Sequence, residues 1–152
     1  MKNKEEYEKF VAVFAQQIDK YILSLGYFNQ GYNLYEDSLK LRHIEICYLN
    51  TTIQRRVNVN YSNFKYKDFH DASIVVSLGK LNKLYPIQNI LENEKITFKQ
   101  NSFSLLSYEG EFEEQIILFC EYLIGVFNIP ELQEWLLGKK WVDIPFDWSP
   151  YK

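Results

Sequence analysis

The chain is poor in the residues from which common sites are built. Its 152 residues include two cysteines, two histidines, six glycines and four prolines. Cys47 and Cys120 each sit inside an apolar periodic segment, and neither belongs to a CxxC pair. Secreted disulfide scaffolds are shorter and denser in cysteine, so both residues read as buried free thiols. GxGxxG, Walker, HExxH and GxSxG motifs are all missing, and with them the usual signatures of dinucleotide, nucleotide, zinc-protease and serine-hydrolase chemistry.

Nor is there a run of about 18 uncharged apolar residues, the length a membrane-spanning helix requires. The most apolar stretch, 116–127, is shorter and contains Glu121. The start, MKNKEEYEKF, puts acids directly after the first lysines and has no apolar signal-peptide core, so a cytoplasmic protein is expected. A basic excess is also lacking: the formal net charge is −3, which argues against a general nucleic-acid binder.

Aromatic residues are what the chain does have. Twelve Tyr, eleven Phe and three Trp make up 17% of it, more than one core of this size readily hides. Some rings are therefore expected at the surface or along a groove, where Tyr and Trp offer large apolar area with few rotors to freeze.

Along the chain, Asn3 with Glu6 three residues on reads as a capped helix start. Phe10, Val13, Phe14, Ile18, Tyr21, Ile22 and Leu25 then recur at helical spacing, and Gly26 stops the helix. Residues 27–38 are turn-rich, with room for a short strand at about 32–35. In 39–49, Arg42, Ile44, Ile46 and Tyr48 share one strand face and Leu41, His43, Glu45, Cys47 and Leu49 the other; neither is cleanly apolar, which leaves the core side open. Val57, Val59 and Tyr61 alternate with Arg56, Asn58 and Asn60, the pattern of a strand with one wet side. A polar aromatic loop over 62–71 leads to the strongest strand signal, ASIVVSLGKL at 72–81.

Residues 82–95 are ambiguous, with Pro86 suited to the first turn of a short helix, and 96–104 fit either a strand or an extended linker. Ser107 is a candidate cap for a helix whose first turns carry Glu109, Glu111, Glu113 and Glu114, placed to complement the helix dipole. Its stripe is Phe112, Ile116, Phe119, Leu123, Val126 and Phe127. Pro130 starts a second short helix that Gly138 ends, and the aromatic, proline-containing tail is expected to lie extended across the surface. This order predicts a two-layer α+β fold in a single domain over 1–152. An antiparallel sheet of three to five strands lies between an N-terminal helix and two C-terminal helices that pack on one face. Arg56, Asn58 and Asn60 would occupy the open face.

Four clusters are candidate sites, each with a plainer reading beside it. Asp68, His70 and Asp71 could bind a divalent metal or move protons, but a solvated turn before a strand explains them as well. His43, Glu45 and Cys47 alternate on one strand face, a spacing that brings zinc-type ligands together, yet they need a fourth ligand such as His70. No metal or cofactor is therefore expected. Arg55, Arg56, Lys65 and Lys67 interleave with Tyr61, Phe64 and Tyr66 as in a single-stranded nucleic-acid surface. Arg55 and Arg56, however, point to opposite faces of a strand. The tail offers Trp141, Phe146, Trp148 and Tyr151 with Asp143 and Asp147: acid-ringed aromatics that either bind another protein or pack on their own core.

The helix ending in LGY (25–27), the strands through RRVNVNY and ASIVVSLGK, the helix EFEEQIILFCEYL and the late EWL (134–136) together form a recognisable layout. It resembles small, largely uncharacterised bacterial α+β proteins, many of them thought to be immunity proteins that neutralise a toxin of a polymorphic toxin system. The resemblance covers most of the chain as a layout and carries over no site residue. It implies a protein that acts by binding a protein partner. The expectation is therefore a small cytoplasmic protein-binding domain, with Trp141, Asp143, Asp147, Trp148, Tyr151, Arg56, Asn58 and Asn60 as binding residues. A small-molecule or enzymatic domain with a pocket between sheet and helices is the alternative.

Overall fold

The structure, a computed structural model, describes residues 2–36 and 42–145, the side chains of residues 2, 3 and 66 excepted. Helix α1 (Lys2–Leu23) is followed by strands β1 (Phe28–Glu36), β2 (Arg42–Asn50) and β3 (Arg55–Ser62). A small hairpin, β4 (Phe64–Tyr66) and β5 (Phe69–Asp71), precedes β6 (Ile74–Lys80) and β7 (Lys83–Pro86). Helices α2 (Ile87–Asn93), α3 (Phe112–Phe127) and α4 (Pro130–Leu136) complete the described fold. The main sheet has five antiparallel strands in the order β1-β2-β3-β6-β7, with β4-β5 forming a separate pair.

Register shows which face is inside. Ile44, Ile46 and Tyr48 of β2 lie opposite Tyr61, Val59 and Val57 of β3, which in turn face Ile74, Val76 and Leu78 of β6. All are buried, so the face of β2 that the sequence leaves undecided is settled in favour of Ile44, Ile46 and Tyr48. They join Phe10, Phe14, Ile18 and Ile22 of α1 and Ile116, Phe119 and Leu123 of α3 in one continuous core. Rings lock the layers: Phe10 stacks on Tyr61 with centroids 4.3 Å apart. Tyrosine hydroxyls in the core are paired rather than left to the desolvation cost of an unmade bond. Tyr48 donates to Asp19 Oδ1 at 2.7 Å, and Tyr27 donates to the Leu136 carbonyl at 2.6 Å.

Several local expectations need correction. The stretch 62–71 is not a loop but contains the β4-β5 hairpin, turned by Lys67 at a φ of 53°. Of the two readings of 96–104, the strand is not formed; the residues run as an irregular linker into a 3-10 turn at Gln100–Phe103. Ser107 does not cap α3, because it closes a second 3-10 turn, Leu105–Ser107, and Glu111 stands at the helix start. Helix α1 already includes Asn3 rather than starting after it. Pro86 ends β7 and stands immediately before α2. The short strand expected at 32–35 is nine residues long. Gly31, at a φ of 98°, carries a register shift between Asn29 and Tyr32, so the turn-forming residues are absorbed as a bulge without ending the strand.

Candidate functional site

On β3 the core takes Val57, Val59 and Tyr61, so Arg56, Asn58 and Asn60 face away from the helices, as alternation requires. Asn58 lies in register between Cys47 and Ser77, Arg56 between Leu49 and Gly79, and Asn60 between Glu45 and Val75. Asn58 is only 5% exposed, and among the described residues neither its Oδ1 nor Nε of Arg56 has a hydrogen-bond partner. Such unmet groups cost about 1–3 kcal/mol each. Both atoms are buried, so a ligand could reach them only if the face moved.

The sequence clusters separate in space. His43, Glu45 and Cys47 do share this open face, and the His43 ring stacks on Tyr35 at 5.0 Å. Among the described residues, however, no three or more His, Cys, Asp or Glu side chains are grouped to hold a metal ion. Burial pushes the thiols of Cys47 and Cys120 up, away from the thiolate that a nucleophile or metal ligand needs. Cys47 is half-buried on the open face rather than in the core, whereas Cys120 is fully buried.

The Asp68–Asp71 segment sits on the exposed hairpin. There His70 Nε2 is 2.7 Å from Asn63 Oδ1, and Asn63 Nδ2 donates to Glu6 Oε1. The Asn63 backbone N–H donates to Tyr7 Oη at 3.1 Å. These contacts tie the hairpin root to α1, a structural task. Lys65 and Lys67 belong to this hairpin, beyond the end of β3 that is remote from Arg55, so the interleaved cation surface is not assembled.

Trp141 packs on the protein's own body. Its ring stacks on Tyr85 at 5.5 Å and meets Trp135 at 5.3 Å. The Arg55 guanidinium and the Lys80 ammonium lie 5.6 and 4.6 Å from the ring centroid. Its indole N–H donates to Asp143 Oδ1 at 3.1 Å, and Lys83 Nζ donates to the same oxygen at 2.9 Å. Lys83, then the indole, hold the Asp143 carboxyl below its ordinary range. Asp143 is thus engaged by Lys83 and is no free acid for steering a basic partner. Asp147, Trp148 and Tyr151 lie outside the described residues.

The surface that sequence reasoning missed is β1. All nine of its residues are exposed, and it is an edge strand. Phe28 is 59% exposed, Tyr32 47%, Leu34 38% and Tyr35 43%. Through their partners Ile46 and Ile44, Tyr32 and Leu34 lie on the helix side; Phe28 and Tyr35 lie on the open side. Beyond the bulge, Tyr32 to Glu36 run in regular register with β2 and carry one charge, Glu36. The cluster of Tyr32, Leu34 and Tyr35, two of them on one strand face and one on the other, was the available signal; it gave a short strand at 32–35, and Asn-Gln-Gly just before it masked the rest.

The space between sheet and helices, where a pocket was the alternative expectation, is occupied by core side chains such as Ile46, Val59 and Phe119. A groove of about 750 Å³ lies elsewhere, between α3 and residues 96–108, lined by Phe98, Tyr108, Tyr122 and Gly125 among others. Among the described residues no single helix is long and apolar enough to cross a membrane. No protein-family model, curated protein or solved structure matches the chain.

Proposed function

We propose that the chain is a small cytoplasmic protein-binding module that engages its partner along β1. The observation that carries this reading is the nine-residue edge strand with four exposed large apolar side chains and a single charge. An uncapped edge offers a row of backbone donors and acceptors to which a partner strand can add. Aromatic anchors beside it supply the desolvated contacts that dominate interface energy. The layout resemblance to immunity proteins supports a toxin as the partner, held by binding rather than by catalysis. Among the described residues the titratable clusters are dispersed, which favours binding over an enzyme reading.

The test is to select binders from a displayed library of genomic fragments and map them by hydrogen exchange. Exchange slowed over 28–36, with binding lost in Leu34→Lys, supports the reading. Binders that protect other segments and tolerate Leu34→Lys would overturn it.

A further inference from the structure

Arg55, Lys80 and Lys83 stand in one row across three neighbouring strands: Arg55 pairs with Lys80, and Lys80 with Lys83. Like charges directly opposite one another destabilise a sheet. Lysine on an edge strand is an ordinary guard against edge pairing, which accounts for Lys83 on β7. Arg55 and Lys80 are on inner strands, where no guard is needed.

Asp143 neutralises Lys83 and acts on Lys80 at longer range, but among the described residues no carboxylate lies within ion-pair distance of Arg55 or Lys80. Both are instead placed near the Trp141 ring, an attraction that uses no N–H bond. Arg55 Nε is buried without a partner among the described residues, which leaves Nη2 of Arg55 and the Lys80 ammonium to meet an anion. Arg55 commits Nη1 to the Ile53 carbonyl at 3.3 Å. The two cations also line one cleft of about 650 Å³ between the β2-β3 and β6-β7 turns, where Thr52, Gln54 and Asn82 add hydroxyl and amide groups.

We propose that this cleft binds a phosphoryl group, with Arg55 and Lys80 as its charge partners and the turn residues as neutral donors. A planar guanidinium beside a point-charge ammonium is a pairing suited to phosphate oxygens. The site uses none of the β1 residues and stands independently of the protein-binding reading.

The experiment is a nuclear magnetic resonance titration of the full chain with inorganic phosphate, with AMP, and with potassium chloride at matched ionic strength. The expected result is a saturable shift of the Gln54, Lys80 and Asn82 amides and the Trp141 indole with phosphate but not with chloride. Tighter binding of AMP would identify a phosphate ester as the natural source, and equal binding the free anion. Lys80→Gln changes an exposed side chain, so the fold persists; it should weaken phosphate binding about tenfold while the unfolding midpoint holds or rises. Lys4→Gln, on α1, should change nothing. No saturable shift at millimolar phosphate, or unchanged affinity in Lys80→Gln, would overturn the site.

Discussion

At one edge of the main sheet, β7 is four residues long, begins with Lys83 and ends at Pro86. The segment after α4 crosses it: Trp141 stacks on Tyr85, and the Ile144 backbone N–H donates to Tyr85 Oη at 2.9 Å. At the other edge, β1 is nine residues long, exposed throughout and charged only at Glu36. Shortness, charge, proline and a covering segment are the means by which proteins keep sheet edges from pairing. This chain applies all four to β7. Among the described residues β1 has one bulge, beyond which the ladder runs regularly, and one charge, Glu36, at its end. A sheet protected at one edge and open at the other would associate by its open edge, which is the basis for proposing β1 as the binding edge.

The largest expected effect lies at the guarded edge. Trp135 is 1% exposed, packs against Tyr85 and Trp141, and donates its indole N–H to Glu94 Oε1 at 3.1 Å. Trp135→Ala should cost about 3–5 kcal/mol in urea unfolding. Leu34→Lys on β1 should change stability by no more than about 0.5 kcal/mol, as surface substitutions do. It should nevertheless weaken partner binding by about 2 kcal/mol or more. Comparable stability losses in the two variants would erase the contrast between the edges.

A smaller effect sharpens the guarded side through pH. Glu94, with its side chain 11% exposed, accepts from Lys140 Nζ at 2.6 Å and from Trp135. Lys140 first, then the indole, draws its carboxyl below the ordinary range against the opposing pull of burial. A carboxylate with a depressed folded pKa stabilises above its unfolded pKa of about 4.3, and that contribution fades as pH falls through the folded value. Glu94→Gln should therefore be less stable than the native chain at pH 7, by about 1–2 kcal/mol. Urea midpoints taken from pH 6 downward should show this gap closing below the ordinary carboxylate range. A gap that stays constant would mean that the Glu94 charge contributes nothing to the clamp.

How far the sequence disclosed this depends on where the signal resides. Alternation at Val57, Val59 and Tyr61 and helical spacing at Phe112, Ile116 and Phe119 are local, and they yielded the α+β fold and the placing of Arg56, Asn58 and Asn60 on the face away from the helices, though not the burial of Asn58 there. Strand register is not local. Nothing in the one-dimensional pattern aligns Arg55 with Lys80, although Lys-Leu-Asn-Lys at 80–83 is a two-residue hairpin turn that sets Lys80 opposite Lys83. The β1 edge was obscured because Asn29, Gln30 and Gly31 read as a turn, whereas tertiary pairing with β2 turned them into a bulge. Trp141 and Asp143 were read as binding residues of an acid-ringed tail, yet whether their partners would be internal depended on β7, which had no clear strand pattern of its own.

The smallest effect separates the open edge from the groove beside α3. Gly125 lies in the interior of that helix and on the groove wall, and a Cβ there would meet nothing within 4 Å. No close packing and no left-handed backbone requires glycine at this point. Glycine in a helix interior costs about 0.5–1 kcal/mol relative to alanine, through the freedom of the unfolded chain. Gly125→Ala should therefore stabilise the protein by about that amount, raising the thermal midpoint by about 1–4 °C. Partner binding should be unaffected, because β1 and the groove share no residue. If stability rises but binding is lost, the glycine was kept for the close approach of a bound molecule. The groove would then displace β1 as the site of recognition.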